Sequence, residues 1–295
     1  MRILNFGSLN LDYVYAVDHF VRPGETIASR SRSIMFGGKG LNQSVALARA
    51  GVQVVHAGCV GAGGESLRDV LSENGVDISG LRTVPEIQGH TVIQVSPDGE
   101  NAILLCGGSN LCVTEEQVRE TLEPFSAGDW LLLQNEINLL PDIVEQAYAK
   151  GMRIVLNPSP FNEKLAPVRL EHLSWLLVNE VEAEQIAGSR DPDRVWEVLH
   201  ARCPDLSLLV TLGKEGSAAF ARTKDGTETA RRKAIPVKVV DTTAAGDTYT
   251  GYFLAGLMNG LPLDRCMERA TRAASLSVGR HGAADSIPLA REIPD

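Results

Sequence analysis

The sequence lacks an excess of positive charge. Its 295 residues include 28 lysines and arginines against 37 aspartates and glutamates, which gives a formal net charge of -9. Because binding to a nucleic-acid backbone requires a positive surface, this balance argues against nucleic acid as the main partner. A small anionic ligand is not excluded, since a few backbone N–H groups and one cation can hold a phosphate inside an acidic protein.

Paired cysteines and long apolar runs are also lacking. The five cysteines form no C-x-x-C pair and are odd in number, so neither a zinc site nor a disulfide framework is indicated and a reducing compartment is expected. The six histidines show no metal-ligand spacing. No stretch of about 18 apolar residues is present to span a bilayer, and no signal-peptide pattern precedes the first apolar segment. These absences predict a cytoplasmic protein with no membrane partner.

Two familiar phosphate-binding motifs are missing as well. Gly38-Lys39 is followed by Gly40, so the serine or threonine that completes a P-loop is absent. The segment Gly61–Ser66 fails the dinucleotide fingerprint at its third glycine. This failure disfavours a nicotinamide-dependent oxidoreductase.

What the sequence does contain is an alternation of apolar, strand-like runs and helical patterns, which is typical of a parallel sheet with helices on both faces. Strands that are buried on both faces need continuous apolar runs. We predict such strands at Ile3–Phe6, Val52–Ala57, Trp130–Leu133, Arg153–Leu156, Trp175–Val178 and Leu208–Thr211. We predict helices at Leu41–Ala50, Glu65–Glu73, Pro141–Lys150, Arg194–Ala201, Gly246–Asn259 and Asp264–Val278.

Two segments break this alternation and predict a separate small sheet. Residues 11–36 and 88–106 contain runs typical of exposed antiparallel strands, and Ser96–Gly99 is a turn signal within the second segment. Such a sheet, carried on a single α/β domain over residues 1–295, would act as a lid that excludes water from a site. A decorative hairpin is the alternative, and the residues alone do not decide between the two.

Two glycine-containing segments are the first candidates for chemistry. Gly37, Gly38 and Gly40 stand beside a helix start, where a ligand can approach the backbone closely. Asn42 would lie on the first turn of that helix. Asp241–Thr248 opens a long helix with small residues whose free N–H groups form a nest for an anion. Asp247 lies beside this nest, where a carboxylate can take the proton of an attacking hydroxyl. Taken alone, Asp247 is more simply a favourable helix-start charge, and Lys39 a solvated side chain.

Five further segments accompany these two in a fixed order along the chain. They are Gly7–Asp12, Pro23–Thr26, Asn157–Pro160, Asn179–Glu184 and Thr211–Gly216. Together the seven segments resemble, from end to end, the ribokinase-like (phosphofructokinase B-type) family of carbohydrate kinases. The resemblance implies a three-layer α/β/α domain with a central, mostly parallel sheet and a β-sheet lid. It also implies transfer of the γ-phosphoryl group of ATP to the primary hydroxyl of a small sugar, with D-ribose as the first candidate.

The resemblance then implies catalytic and sugar-binding roles. Asp247 would be the general base, and the N–H groups of Ala244, Ala245 and Gly246 would form the anion hole for the γ-phosphoryl group. The sugar-binding positions, which share Asp247, would be Asn10, Asp12, Gly38, Lys39, Asn42 and Glu136. For Glu136, an acid on a surface loop is the alternative.

Nucleotide and ion positions follow from the same resemblance. ATP would lie against Asn179, Thr211, Gly213, Gly216 and Gly246. Glu182 would orient a water on Mg²⁺, with a carboxylate on a helix surface as the alternative. A potassium ion that stiffens the anion-hole loop would be held, mostly through backbone carbonyls, by Asp241, Thr243, Ser277, Arg280, Gly282 and Ser286. A homodimer through the lid sheets is expected by analogy.

One departure from the family pattern leaves the sugar open. Many relatives carry Gly-Asp-Asp near the sugar pocket, where this chain has Gly61–Glu65. The alternatives to ribose are therefore deoxyribose, fructose, a ketodeoxy sugar acid and a nucleoside. A catalytically silent sugar sensor is an alternative of another class, and the intact pair Gly246-Asp247 argues against it.

Overall fold

The computed structural model describes residues 2–293; Met1, Pro294 and Asp295 lie outside the described residues. In chain order the strands are β1 (Ile3–Phe6), β2 (Asn10–Ala16), β3 (Ser31–Gly37), β4 (Val54–Ala62), β5 (Asp77–Ile87), β6 (His90–Val95), β7 (Asn101–Cys106), β8 (Trp130–Gln134), β9 (Arg153–Asn157), β10 (Trp175–Asn179), β11 (Ser207–Thr211), β12 (Ser217–Thr223) and β13 (Gly226–Arg232). The helices are α1 (Lys39–Arg49), α2 (Glu65–Glu73), α3 (Glu115–Leu122), α4 (Leu140–Ala149), α5 (Glu180–Ala187), α6 (Pro192–Arg202), α7 (Ala245–Met258) and α8 (Leu263–Val278).

Nine strands form the main sheet, in the order β13-β12-β11-β10-β9-β8-β1-β4-β5. Strand β12 pairs antiparallel with both β11 and β13, and the strands from β11 to β5 are parallel. Strand β8 shows why its sequence is apolar throughout. Trp130 and Leu132 belong to one buried cluster, whereas Leu131 and Leu133 belong to the other. Because successive side chains of a strand point to opposite faces, a strand between two apolar layers needs an uninterrupted apolar run.

The two clusters lie on the two faces of the main sheet. One face is covered by α1, α2, α7 and α8, which contribute Leu41, Leu67, Phe253 and Met267 to its cluster. The other face is covered by α3, α4, α5 and α6, which contribute Val118, Ile143, Ala183 and Val195. The predicted three-layer α/β/α fold is therefore confirmed. Among residues 2–293, no helix is both long and apolar enough to cross a membrane.

Four strands form the second, smaller sheet, in the order β3-β2-β6-β7. Strand β2 pairs antiparallel with β3 and parallel with β6, and β6 pairs antiparallel with β7. The small second sheet expected from the sequence is thus present, whereas its action as a lid, and the assignment of the chain to one domain, stay predictions. Side-chain hydrogen bonds join the segments that connect the two sheets. Gln88 Nε2 donates to the Leu9 carbonyl at 2.6 Å, and Asn110 Nδ2 donates to the same carbonyl at 3.1 Å.

Candidate active site

The candidate site forms where the starts of α1 and α7 meet. Asn42 Nδ2 donates to Asp247 Oδ2 at 3.0 Å although the two residues are 205 positions apart in the chain. On the other side of the α1 start, Lys39 Nζ lies 2.6 Å from Glu136 Oε1, in the segment that follows β8. The structure therefore brings together four of the residues that the sequence singled out, from three separate segments.

Asp247 lies in the first turn of α7 and is largely enclosed. Its second oxygen, Oδ1, accepts from Gln43 Nε2 at 2.8 Å. Burial raises the pKa of Asp247 above its usual range, and the charge of Lys39 and the donors Asn42 and Gln43 only partly oppose this effect. Such a carboxylate has its charge held by two amide donors and is poised to take up a proton.

The backbone just before Asp247 has the geometry of an anion nest. Ala244 precedes the helix in the left-handed region, with φ 59°, which costs a non-glycine residue about 1–2 kcal/mol. The Ala245 N–H donates weakly to the Thr242 carbonyl at 3.3 Å, and the Ala244 carbonyl accepts from Thr248 N at 2.8 Å. Within residues 2–293, the N–H groups of Ala244 and Gly246 have no acceptor. Free N–H groups at the positive end of a helix dipole attract an anion.

Lys39 and Glu136 form a partly buried ion pair beside the start of α1. The Glu136 side chain is only 6% exposed, so the alternative of a surface loop acid is wrong. Its Oε2 accepts from the Lys39 N–H at 3.2 Å and from the Ser8 hydroxyl. Burial alone would lower the pKa of Lys39, but the charges of Glu136, Asp247 and Glu182 raise it above its usual value. Lys39 is consequently charged and paired, and is not a freely solvated side chain.

Asp12 and Asn10 are held on β2 by neighbours that the sequence analysis did not identify. Thr91 Oγ1, on β6, donates to Asp12 Oδ1 at 2.6 Å, and Asn110 Nδ2 donates to Asn10 Oδ1 at 2.8 Å. Burial raises the pKa of Asp12 to about 6, and the Thr91 hydroxyl opposes this rise. Gly37 is required opposite Asp12, because a Cβ there would lie 2.0 Å from Asp12 Oδ2. No motif marks either residue: Thr91 contacts Asp12 through the pairing of β2 with β6, and Asn110 lies in the turn that follows β7.

Asn179 and Glu182 have a clear local role at the start of α5. The Asn179 side chain accepts from the N–H groups of Val181 and Glu182 at 2.9 Å, and Glu182 Oε2 accepts from the Asn179 N–H at 3.0 Å. This reciprocal arrangement is a capping box. Glu182 is buried, so the alternative of a helix-surface carboxylate is wrong.

The predicted nucleotide loop follows β11. The Thr211 hydroxyl donates to the Val178 carbonyl at 3.4 Å. Gly213 and Gly216 have φ of 52° and 114°, and a Cβ on Gly216 would lie 1.9 Å from the Arg232 carbonyl oxygen. Both glycines therefore serve a tight turn between β11 and β12.

The segments predicted to hold a monovalent cation are joined by one carboxylate. Asp241 accepts from Thr243 N at 2.9 Å and from Gly282 N at 3.1 Å. Burial would raise the pKa of Asp241, but these donors hold it below its usual value. Ser277 and Ser286 are buried beside the same segments, and each hydroxyl donates to a backbone carbonyl. Arg280 instead forms an ion pair with Glu292.

The donor groups of these segments are oxygen atoms, which suit a hard cation. Among the described residues, no three His, Cys, Asp or Glu side chains cluster as metal ligands. Any ion here would therefore depend on backbone oxygens, hydroxyls, waters or substrate phosphates. For Mg²⁺, predicted beside Glu182, this requirement fits, because the ion keeps several waters and commonly takes one or two carboxylates besides phosphate oxygens. The residues present are consistent with both predicted ions.

Comparison with known proteins gives the family. Residues 2–290 match the model of the pfkB family carbohydrate kinase. A ribokinase of Haemophilus influenzae is 34% identical, with 97% of this chain and 95% of that protein covered, and a ribokinase of Bacillus subtilis is 31% identical, with 98% and 97% covered.

Solved structures agree with this match. A ribokinase from Cryptococcus neoformans var. grubii in complex with ADP superimposes with a TM-score of 0.85 at 34% identity, over 99% of this chain and 98% of that one. The Arabidopsis thaliana ribokinase complexed with ribose and ATP superimposes with a TM-score of 0.83 at 26% identity, over 99% and 97%. Since the family match spans nearly the whole chain and the relatives are covered almost end to end, the chain belongs to the pfkB family of carbohydrate kinases.

Proposed function

We propose that this chain transfers the γ-phosphoryl group of ATP to the primary hydroxyl of D-ribose. The observation that carries the proposal is the position of Asp247, a carboxylate with a raised pKa, beside the free N–H groups at the start of α7. Relatives named as ribokinases, covered over nearly their full length, support ribose as the acceptor.

The proposed reaction needs positioning and charge stabilisation more than covalent chemistry. The sugar hydroxyl gives its proton to Asp247 as its oxygen forms the new bond to the γ-phosphorus. The bond from that phosphorus to the bridging β,γ-oxygen breaks, and ADP leaves. The N–H groups of Ala244, Ala245 and Gly246 point to where negative charge grows on the transferring group. The weak bond from Ala245 N to Thr242 would then be exchanged for a bond to the phosphoryl oxygen.

The polarity of the site supports a neutral polyol. Asn42 uses its Nδ2 on Asp247, and its buried Oδ1 has no hydrogen-bond partner within residues 2–293. It therefore offers an acceptor, as do the carboxylates of Asp12 and Asp247, and sugar hydroxyls can donate to all three. A ketodeoxy sugar acid would bring a carboxylate close to these charges, while Lys39 is already paired with Glu136. Like charges in an enclosed site repel strongly, so the acid is disfavoured.

The departure at Gly61–Glu65 has a structural explanation. Gly61 N donates to Gln88 Oε1 at 3.0 Å, and a Cβ on Gly64 would lie 2.0 Å from the same oxygen. Gln88 therefore fills the space beside this turn, while Ala62 and Gly63 are exposed. Differences in sugar preference from other family members are expected to map to Ala62 and Gly63.

Ions, assembly and location complete the proposal. Glu182 would hold a water of the Mg²⁺ that neutralises the ATP phosphates, and the segments joined by Asp241 would hold K⁺ and stiffen the loop before Asp247. The enzyme would be a homodimer that pairs through the second sheet, whose strand β7 exposes Ile103. Five free cysteines are compatible with a reducing, cytoplasmic location.

The test is an assay of ADP release with ATP, Mg²⁺ and K⁺ against a panel of sugars and nucleosides. Turnover on D-ribose that is lost in Asp247→Asn would support the proposal. Turnover on another acceptor would keep the chemistry and change the substrate. Silence across the panel, with ATP still bound, would contradict the proposal and favour a sugar sensor.

Asp247→Asn gives the sharpest mutational prediction. The substitution keeps the shape of the side chain but removes the proton acceptor, so turnover should fall by roughly 10²–10⁴ while sugar and ATP binding change little. Steady-state kinetics together with calorimetric titration of ribose would measure both effects. A variant with near-normal turnover would show that another group accepts the proton.

A further inference from the structure

Five fully buried side chains lead from Asp247 into the main sheet, and the chemistry above does not use them. Gln43, on α1, donates from Nε2 to Asp247 Oδ1 at 2.8 Å and accepts at Oε1 from Gln134 Nε2 at 2.7 Å. Gln134, at the end of β8, also donates to Asn5 Oδ1 on β1 at 2.9 Å. Ser44 and His56 continue the chain beyond Asn5. The series joins Asp247 to four elements of the fold interior, which are α1, β8, β1 and β4.

Backbone carbonyls fix the direction of the Asn5 and Asn157 amides, and these two amides in turn orient Gln134 and Gln43. Asn5 Nδ2 donates to the Gly40 carbonyl at 2.8 Å, so its Oδ1 must face Gln134. Asn157 Nδ2 donates to the Leu177 carbonyl at 2.9 Å, so its Oδ1 must face Gln43, whose Nε2 lies 3.2 Å away. A carbonyl oxygen can only accept. Flipping one amide would therefore set acceptor against acceptor or donor against donor elsewhere in the series.

The far end of the series is neutral. Ser44 Oγ accepts from Asn5 Nδ2 at 2.8 Å, which leaves its proton to donate to His56 Nδ1 at 2.7 Å. Burial lowers the pKa of His56 to about 3, and the Gly7 backbone opposes this only in part. No charge in the series therefore competes with that of Asp247.

We propose that Gln43 is a positioning residue, which holds the Asp247 carboxylate ionised and in one orientation, and that Gln134 and Asn157 act through Gln43 by fixing its amide. The proposal rests on the proposed function in that Asp247 is taken as the base. Gln43 commits its Oε1 to Gln134 and one N–H to Asn157, so its remaining N–H is the group that faces Asp247. If the side-chain amide of Gln43 were rotated by 180°, its oxygen would face the Asp247 carboxylate instead.

The charged groups around Asp247 also affect its pKa. Lys39 favours the ionised form of Asp247, whereas Glu136 and Asp12 oppose it. Burial favours the neutral form, so each amide donor shifts the balance towards the carboxylate. Loss of the Gln43 donor should therefore raise the pKa of Asp247 by about one pH unit, which is the usual size for one hydrogen bond to a charged group.

The test uses Gln43→Met, Gln134→Met and the double variant, which keep side-chain length without an amide. Gln117→Met is the matched control, because Gln117 is another buried glutamine, donates to the Gly58 and Gly80 carbonyls, and makes no contact with Asp247. The titration of the Asp247 carboxyl carbon, identified by its absence in Asp247→Asn, is followed by ¹³C NMR. We expect an upward shift in Gln43→Met, a smaller one in Gln134→Met, no further shift in the double variant, and none in the control.

Kinetics give a second readout. The acid limb of kcat/KM should move to higher pH by the same amount, and kcat at neutral pH should fall by about tenfold with a nearly constant sugar KM. An unchanged Asp247 titration in Gln43→Met, or an equal shift in the Gln117→Met control, would overturn the proposal. If Gln43→Met does not fold, Gln43→Glu serves instead, and its second carboxylate should raise the pKa of Asp247 further. If the wild-type protein turns over no sugar, the proposed function fails while the NMR titration still decides the role of Gln43.

Discussion

At the scale of single residues, Asp12 shows that a buried carboxylate can weaken the fold. Its carboxyl is buried against Gly37 and Thr91 with a pKa of about 6, against an ordinary value of 3.8. The folded protein thus holds the proton more tightly than the unfolded chain does. Any stability that this preference contributes is fully present below pH 3.8 and is lost as the pH rises to about 6. At neutral pH the ionised Asp12 costs the fold about 2–3 kcal/mol.

Asp12→Asn should therefore stabilise the protein, increasingly so between about pH 4 and about pH 6. Asparagine keeps the acceptor for Thr91 and removes the charge, so the gain should level off at about 2–3 kcal/mol above about pH 6. Chemical denaturation at several pH values would measure the difference from the wild-type free energy of unfolding. A difference that does not vary with pH would contradict the argument. The variant should bind ribose less tightly, since an amide at this position offers fewer acceptors than the carboxylate.

The candidate site was only partly predictable at this scale. Asn42 and Asp247 stand in segments that have recognisable glycine patterns, and the structure places them 3.0 Å apart. Thr91, Asn110 and Gln134 carry no such mark. Each reaches the site only because the fold brings together residues that are far apart in the chain. A single sequence contains no direct signal for such contacts.

At the scale of elements, the buried strands were predicted well and an edge strand was missed. Strand β8 was predicted to within one residue, because its apolar run reflects burial on both faces. Strand β5 was not predicted, since it lies at the edge of the main sheet, exposes most of its side chains and contains Gly80 and Pro85. In the second sheet, β3 begins only at Ser31 within the predicted segment 11–36, because its partner β2 ends at Ala16, opposite Ser31.

Close packing of α7 against α1 sets the distance between Asp247 and its amide donors. A Cβ on Gly251 would lie 2.4 Å from the Ala46 Cβ, on α1. Gly251→Ala should push the two helices apart, cost about 1–3 kcal/mol of stability and lower kcat, because Asn42 and Gln43 would move away from Asp247. Thermal unfolding and steady-state kinetics would measure the two effects.

Gly256→Ala is the matched control on the same helix. A Cβ there would lie 2.8 Å from Cys266 Sγ on α8, far along α7 from the site. It should destabilise the protein by a similar amount and leave kcat unchanged. Equal losses of kcat in Gly251→Ala and Gly256→Ala would mean that general destabilisation, and not helix separation at the site, causes the effect.

At the scale of the whole molecule, the second sheet presents an apolar row beside Asp12. Val14, Ile93 and Ile103 are paired across β2, β6 and β7, and Ile103 is 59% exposed. Residues two apart on a strand share a face, so this row lies on the face that carries Asp12 and Thr91. An exposed apolar row at this position suits burial against the same sheet of a second copy.

Ile103→Glu should therefore convert the proposed homodimer to a monomer and raise the KM for sugar. Leu104→Glu is the control, because Leu104 is 70% exposed but points to the opposite face of β7. Size-exclusion chromatography with light scattering would give the masses. A wild-type monomer at micromolar concentration, or an unaltered mass for Ile103→Glu, would exclude pairing through this face.

The separation of Asn42 and Asp247 by 205 residues also has a consequence for synthesis of the chain. Strand β1 lies between β4 and β8, so it cannot pair until these later strands have been synthesised. The amide donors on α1 emerge early, but the carboxylate that they hold arrives only after most of the chain has left the ribosome. A nascent chain stopped before residue 247 would contain every strand of the main sheet but not the proposed base, so the proposed chemistry would become possible only late in translation.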